Sequence, residues 1–444
     1  MEVWRLFLPW GALWLMAFWL PQSPLRKLTY LLPLGGLVVL MVQRDAPPVW
    51  RLICASLYFL YLMKGAVWAA EGPSKMRLID RLTYFTFWPG MDPRALSSRV
   101  RPEERDAKLF VQGLLLLYTG VALFLCVAIF RYRLSDAVVG WSGIASILLI
   151  VHFGLSNILT SLLRLAHRPV HQLFDHPLNS KTLRDFWTRR WNRPFVDMDR
   201  VLFLKPLTKA FGSRGAVFGI FLISGLLHEM AISYPAGGGF GLPLLYFALH
   251  GLLVLVEKKL KVAGRIWTWF WLLAPLPLLF HAPFRQEFIV PLFTWLNQLI
   301  TSKEIAWYFG GLLWMMGLAH FMVLIASFQV PARLNWREEL PRLSSFNEKL
   351  MRTTGAFTVL AITAFGTLTL ALRQSLLEGE RAAIGIAAYI MVFWSARLLV
   401  DAFYYRSEDW PKGPQFIVGH ALLNSLFAFF VLSYGGLLAW HLLT

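Results

Sequence analysis

The chain has 444 residues, 57% of them hydrophobic and 15% charged, with a formal net charge of +18. Soluble domains carry about 25% charged residues, so this composition excludes a soluble globular protein and indicates a polytopic membrane protein. The apolar runs are continuous rather than alternating, which favours helices over a closed barrel. The positive charge is spread over connecting loops, where Lys and Arg gather beside anionic lipid, so nucleic acid is not an expected partner and membrane lipids are.

In chain order, the start is weakly charged at Glu2 and Arg5. The Trp-rich apolar run to Leu20 has no small-x-small cleavage site after it, and so reads as a retained first span. Further apolar segments centre on residues 29–43, 51–70, 109–130, 138–163, 215–234, 241–256, 267–281, 306–328, 353–372, 383–402 and 417–440. The run at 288–299 is shorter and reads as re-entrant or interfacial. Crossing ~30 Å of hydrocarbon takes about 20 residues, so about 9–12 spans are expected. Cys54 and Cys126 both lie in apolar runs and read as small buried hydrophobes. No linker or long repeat divides the chain, so residues 1–444 are expected to form one integral domain, with residues 164–257 as its catalytic core.

Three polar connections are long. Glu71–Lys108 carries eight Lys/Arg and six Asp/Glu. In it, Tyr84, Phe85, Phe87 and Trp88 suit a membrane interface, and Pro89-Gly90 demands a turn. Arg164–Arg214 carries eleven Lys/Arg against four Asp, which suits short amphipathic helices at the interface. There, Asn179-Ser180 is placed to cap a helix starting near Lys181, on which Phe186 shares a face with Arg190 and Trp187 with Trp191. Pro331–Arg352, with mixed charge, is a third excursion.

An ionisable residue inside an apolar span is a functional candidate by default. His228 leads, four residues after Ser224 and beside Glu229 in an apolar helix, and imidazole there suits proton abstraction near neutral pH. Glu229 points about 100° away on a helix, so it is better placed for a basic loop residue than for His228. The position four beyond His228 is Ile232, so the two-histidine zinc pattern is absent and no metal is expected. His250, on the following helix before Glu257, is a candidate for the same cavity. His152, His320, His420 and His441 lie singly in apolar runs. Arg184, Arg189, Arg190 and Arg193 suit either phosphate groups or lipid head groups. Asn192 suits either a turn or a hydrogen bond to a carbonyl gaining charge.

Three blocks carry a resemblance. Phe174-Asp175-His176-Pro177 leads into Asp185-Phe186-Trp187-Thr188-Arg189-Arg190-Trp191-Asn192; then come Ser224-Gly225-Leu226-Leu227-His228-Glu229 and Leu249-His250-Gly251 with Glu257. In order and spacing they resemble the wax-synthase-like branch of the membrane-bound O-acyltransferase superfamily over residues 170–257. The resemblance implies an all-α polytopic membrane domain with interfacial helices and an internal substrate tunnel. It implies His228 as catalytic residue and Asn192 as its second position. It also implies acyl-CoA as co-substrate, with no other cofactor, and a lipophilic alcohol as acceptor. Trp187, Arg189, Arg190, Trp191, Arg193, Ser224, Glu229 and His250 are then expected to line the substrate or acyl-CoA site. The expected location is a bacterial inner membrane or the endoplasmic reticulum, and no oligomeric state is specified. Two other functions fit less well: an O-acyltransferase acting on an extracytoplasmic polymer, and a transporter or non-catalytic lipid-binding protein.

Overall fold

A computed structural model describes residues 11, 14–15, 48–73, 75–260, 263–333, 335–405 and 412–443, and among these only helices, turns and loops occur. Eight helices are long and apolar enough to cross a membrane: Val49–Glu71, Glu104–Ile129, Asp136–Leu165, Leu204–Ala236, Ile305–Ile325, Ser345–Ala371, Arg381–Phe403 and Pro414–Leu442. The protein is an all-α, multi-pass membrane protein. The spans expected at 5–20 and 29–43 lie almost wholly outside the described residues. The 241–256 segment forms the shorter apolar helix Leu242–Glu257. The 267–281 segment breaks into Arg265–Leu273 and Leu276–Leu279, because Pro275 and Pro277 supply no N–H to a continuous helix. The 288–299 run is the helix Val290–Thr301.

The described residues form two compact units that divide after Thr294. In the first, Glu104–Ile129 and Asp136–Leu165 form a closely packed hairpin, and Leu204–His228 packs along Leu242–Leu260. Gly225 permits the second contact: a Cβ there would sit 2.8 Å from Leu244 Cδ1, and small residues let apolar helices approach when no hydrophobic force separates lipid from protein. Leu204–His228 itself bends at Gly212, whose φ of 69° leaves the helical region. This break divides an exposed basic turn bearing Lys205 and Lys209 from the apolar portion.

The Glu71–Lys108 connection departs from the interfacial surface expected of its aromatics. Tyr84, Phe85 and Trp88 are buried with Tyr58, Tyr61 and Trp68, and only Phe87 stays exposed. Lys64, itself buried, donates to the Gly90 carbonyl at 2.8 Å and lies 3.7 Å from the Tyr84 ring centroid. The turn is thus held from inside the fold. Buried Asp80 pins the same region by accepting from Arg77, Arg99 and Arg168.

In the second unit, Ile305–Ser327 packs on Ser345–Ala371 and Arg381–Phe403 on Pro414–Leu443. The core is aromatic around Trp394, which stacks on Phe427 and Phe430. His320 is fully used there, its Nδ1 donating to the Met316 carbonyl and its Nε2 accepting from the Trp394 indole. His420, read as solitary, donates to the Asp401 carboxylate at 2.7 Å. His441 donates to the Leu376 carbonyl. These histidines are structural.

Candidate active site

Five π-helical turns occur among the described residues, at Thr83–Phe87, Leu148–Leu155, Phe186–Arg190, Glu229–Ser233 and Arg285–Ile289. Such turns gather at functional sites because the extra residue redirects side chains. Two of them bracket the residues singled out by sequence.

The basic segment starts later than its caps suggested. Thr182, not Asn179 or Ser180, is the N-cap, its hydroxyl accepting from the Asp185 amide at 2.9 Å. Ser180 is buried and donates to the Pro177 carbonyl instead. Buried Glu257 reinforces the start, its two carboxylate oxygens accepting from the Leu183 and Arg184 amides at 2.9 and 3.1 Å. A carboxylate at a helix N-terminus satisfies amides left free there and faces the positive end of the dipole. Over Phe186–Arg190 the turn then widens, the Trp191 amide donating to the Phe186 carbonyl. The five-residue spacing stacks Trp191 on Phe186, 5.2 Å apart and 15° from parallel. The four-residue pairing of Trp187 with Trp191 is replaced.

Trp187 is thereby turned toward the helix Leu242–Leu260. Its ring lies 5.5 Å from Phe247 and 5.4 Å from His250, and its indole N–H is buried without a partner. Phe247 in turn lies 4.4 Å from the His228 ring. His228 Nδ1 donates to the Ser224 carbonyl at 2.7 Å. A carbonyl only accepts, so this bond puts the proton on Nδ1 and leaves Nε2 with its lone pair. Ser224 is buried and His228 partly exposed. Glu229 does not reach the basic loop. One carboxylate oxygen accepts from the Leu244 amide at 2.9 Å and the other is buried without a partner.

Beyond Glu229, buried Ser233 meets buried His281. The Phe284 amide donates to His281 Nδ1, so Nε2 carries the proton and donates to the Ser233 hydroxyl at 3.2 Å. Gly239 makes room for this pair. Its φ is 77°, and a Cβ would fall 2.4 Å from His281 Nδ1. The sequence reading overlooked His281, which sits 52 positions after Glu229 with no motif joining them. It also set His152 aside, although its ring stacks 6.3 Å from Trp191.

Asn192 occupies the left-handed region at φ 43°, ψ 54°, and its carbonyl opens the helix Arg193–Leu202. Such a conformation is uncommon outside glycine and favours Asn. Asn192 and His228 are bridged by the rings of Trp191, Phe186, Trp187 and Phe247 rather than by a shared hydrogen bond. Arg190 is committed internally, donating to Asp185 at 2.6 Å and to the Asp175 and His176 carbonyls. Arg193 lies 3.7 Å from Asp175. Arg184 and Arg189 remain exposed.

Beside Asn192, a small cavity is bounded by Asp92, His171, Arg193 and Asp197. Burial, reinforced by Arg193, lowers the His171 imidazole, and burial raises the Asp197 carboxyl against the pull of Arg200 and Arg193. Burial alone raises Asp199, one turn from Phe203, to about 8. Among the described residues, no three His, Cys, Asp or Glu side chains converge as metal ligands would.

A family profile described as the membrane bound O-acyl transferase family matches residues 170–249. Over this segment the chain is similar to that family. The match holds Asn192, Trp187, His228 and Phe247, and it stops one residue before His250. Acyl-CoA–sterol O-acyltransferase 1 of Arabidopsis thaliana is 26% identical over 158 residues, covering 33% of this chain and 46% of that protein. Long-chain-alcohol O-fatty-acyltransferase of Simmondsia chinensis is 30% identical over 108 residues, covering 21% and 30%. Probable long-chain-alcohol O-fatty-acyltransferase 3 of Arabidopsis thaliana is 30% identical over 114 residues, covering 23% and 32%. The similarity spans less than half the length of each relative. These names support the wax-synthase-like branch of the family.

Proposed function

We propose that this protein transfers an acyl group from acyl-CoA to the hydroxyl of a lipophilic alcohol, either a long-chain alcohol or a sterol. The observation that carries this reading is the bond from His228 Nδ1 to the Ser224 carbonyl, which leaves Nε2 as a base within the family segment. Nε2 takes the alcohol proton as the alcohol oxygen attacks the thioester carbonyl. The tetrahedral intermediate collapses with loss of coenzyme A thiolate, which recovers the proton from the imidazolium. An ester and free coenzyme A leave. The names of the relatives, one a sterol and two long-chain-alcohol acyltransferases, support a hydroxyl acceptor with a large apolar body.

Two donors serve the charge that develops on the carbonyl oxygen. The nearer is the unpartnered indole N–H of Trp187, which packs on the phenylalanine beside His228. The other, the Asn192 carboxamide, lies at the far end of the ring chain and reaches the carbonyl only if the basic segment closes on the substrate. Exposed Arg184 and Arg189 bind the phosphates of acyl-CoA, while Arg190 and Arg193 shape the loop that presents them. The apolar side chains around His228 and Phe247 hold the acyl chain, at about 0.8 kcal/mol per buried methylene. Enclosure also keeps water from the thioester.

The reading is tested by comparing lipid extracts of cells that make the wild type and the His228→Ala variant at equal membrane levels. The expected result is loss of one ester class, whose alcohol and acyl parts name both substrates. Identical ester profiles would sink the proposal.

A further inference from the structure

The second unit carries a groove of about 560 Å³ at the start of the span Ile305–Ser327. Trp307, Gly310, Gly311 and Trp314 follow one helical face at spacings of three, four and seven residues. The two exposed tryptophans form its ends and the two glycines its floor. The facing wall is the short helix Arg373–Glu378, through Arg373 and Leu377.

Depth is set by the chain itself. One span begins at Ile305 and the neighbouring span, packed against it, ends at Ala371. The groove therefore lies where hydrocarbon gives way to head groups, the level at which Trp and Tyr collect. Arg373 reaches in, 5.9 Å from the Trp314 ring centroid and with one guanidinium nitrogen 3.3 Å from the Cβ position at Gly310. It forms no ion pair among the described residues. Glu378, on its own helix, accepts from Gln374 at 2.6 Å. An apolar groove of this size, at this depth and with one unpaired guanidinium, is complementary to a molecule with apolar chains and an anionic phosphate.

We propose that this groove binds one anionic phospholipid of the bilayer, its phosphate on Arg373 and an acyl chain over Gly310 and Gly311. This site lies in the second unit and is independent of the His228 chemistry. A cation at the membrane surface contributes about 1 kcal/mol toward anionic lipid, equivalent to about a fivefold change in affinity.

The full-length protein, purified in detergent and stripped of lipid, is titrated with phosphatidylglycerol or phosphatidylcholine and read by native mass spectrometry. Arg373→Gln is expected to weaken the first phosphatidylglycerol bound by about fivefold and to leave phosphatidylcholine unchanged. Gly311→Leu puts a side chain on the floor, where a Cβ meets nothing within 4 Å, and is expected to weaken both lipids. Wild-type phosphatidylglycerol affinity in either variant would overturn the proposal. So would a protein dimer that Gly311→Leu dissociates while lipid binding stays unchanged, because the groove would then belong to a second copy.

Discussion

At the scale of single residues, chemistry is decided by which nitrogen or oxygen lacks a partner. His228 stood out in the sequence because an imidazole in an apolar run is costly unless it is used. The role as a base proposed for it rests on the bond from Nδ1 to the Ser224 carbonyl, one turn back and invisible in residue types alone. Trp187 is the converse case, a donor with nothing to donate to. Trp187→Phe keeps the ring and removes the N–H. It should lower kcat by at least about tenfold with KM little changed, as expected for a donor used only in the transition state. Equal loss through KM alone would assign Trp187 to substrate binding. Asp199 supplies a pH test. Its carboxyl is raised to about 8 by burial, above the ~4 of an unfolded chain. The stability from its retained proton is therefore full below pH ~4 and is lost as pH rises through about 8. Asp199→Asn should melt progressively above the wild type as pH rises across that window, measured by scanning fluorimetry. A pH-independent difference would contradict the assignment.

Elements were legible where periodicity is simple and obscure where it changes. The long apolar helices followed from hydropathy, but the π turns did not, since no residue type announces a five-residue spacing. At Phe186–Arg190 that spacing stacks Trp191 on Phe186 and turns Trp187 toward His250. A four-residue helix would have paired different rings. Capping shows the same limit: the sequence placed the cap at Asn179-Ser180, but Thr182 caps the helix with Glu257 from a distant helix. In the glycine-rich stretch after the histidine helix, Gly239 has φ 77° and packs against His281. Gly239→Ala should cost about 1–3 kcal/mol from the backbone alone and lower Tm. The loss should be smaller in a His281→Ala background, because the ring that the new methyl strikes is gone. Equal losses in both backgrounds would show that the close approach carries no energy.

For the whole molecule, composition and hydropathy were enough to place an all-α protein in a membrane, with eight described helices able to cross it. The 267–281 segment was misjudged because Pro275 and Pro277 break it, whereas the 241–256 segment is a helix whose apolar stretch, Leu242–Glu257, is shorter than the eight long spans. The buried aromatics of Thr83–Trp88 were misplaced for a different reason. Aromatic residues serve membrane interfaces and protein cores alike, and only the packing on Tyr58, Tyr61 and Trp68 distinguishes them. The formal charge of +18 was assigned mostly to loops, but in the Arg164–Arg214 connection most Lys and Arg lie in helices, and its arginines divide between fold and surface. Arg190 holds the backbone while Arg184 and Arg189 stay exposed. The central claim is that this scaffold delivers an alcohol and a thioester to one imidazole. Its most direct test supplies labelled acyl-CoA and a panel of fatty alcohols and sterols to purified wild type and His228→Ala in the same lipid. The wild type should form labelled ester and the variant at least about 100-fold less, the scale of a general base. Undiminished ester from the folded variant would contradict the account.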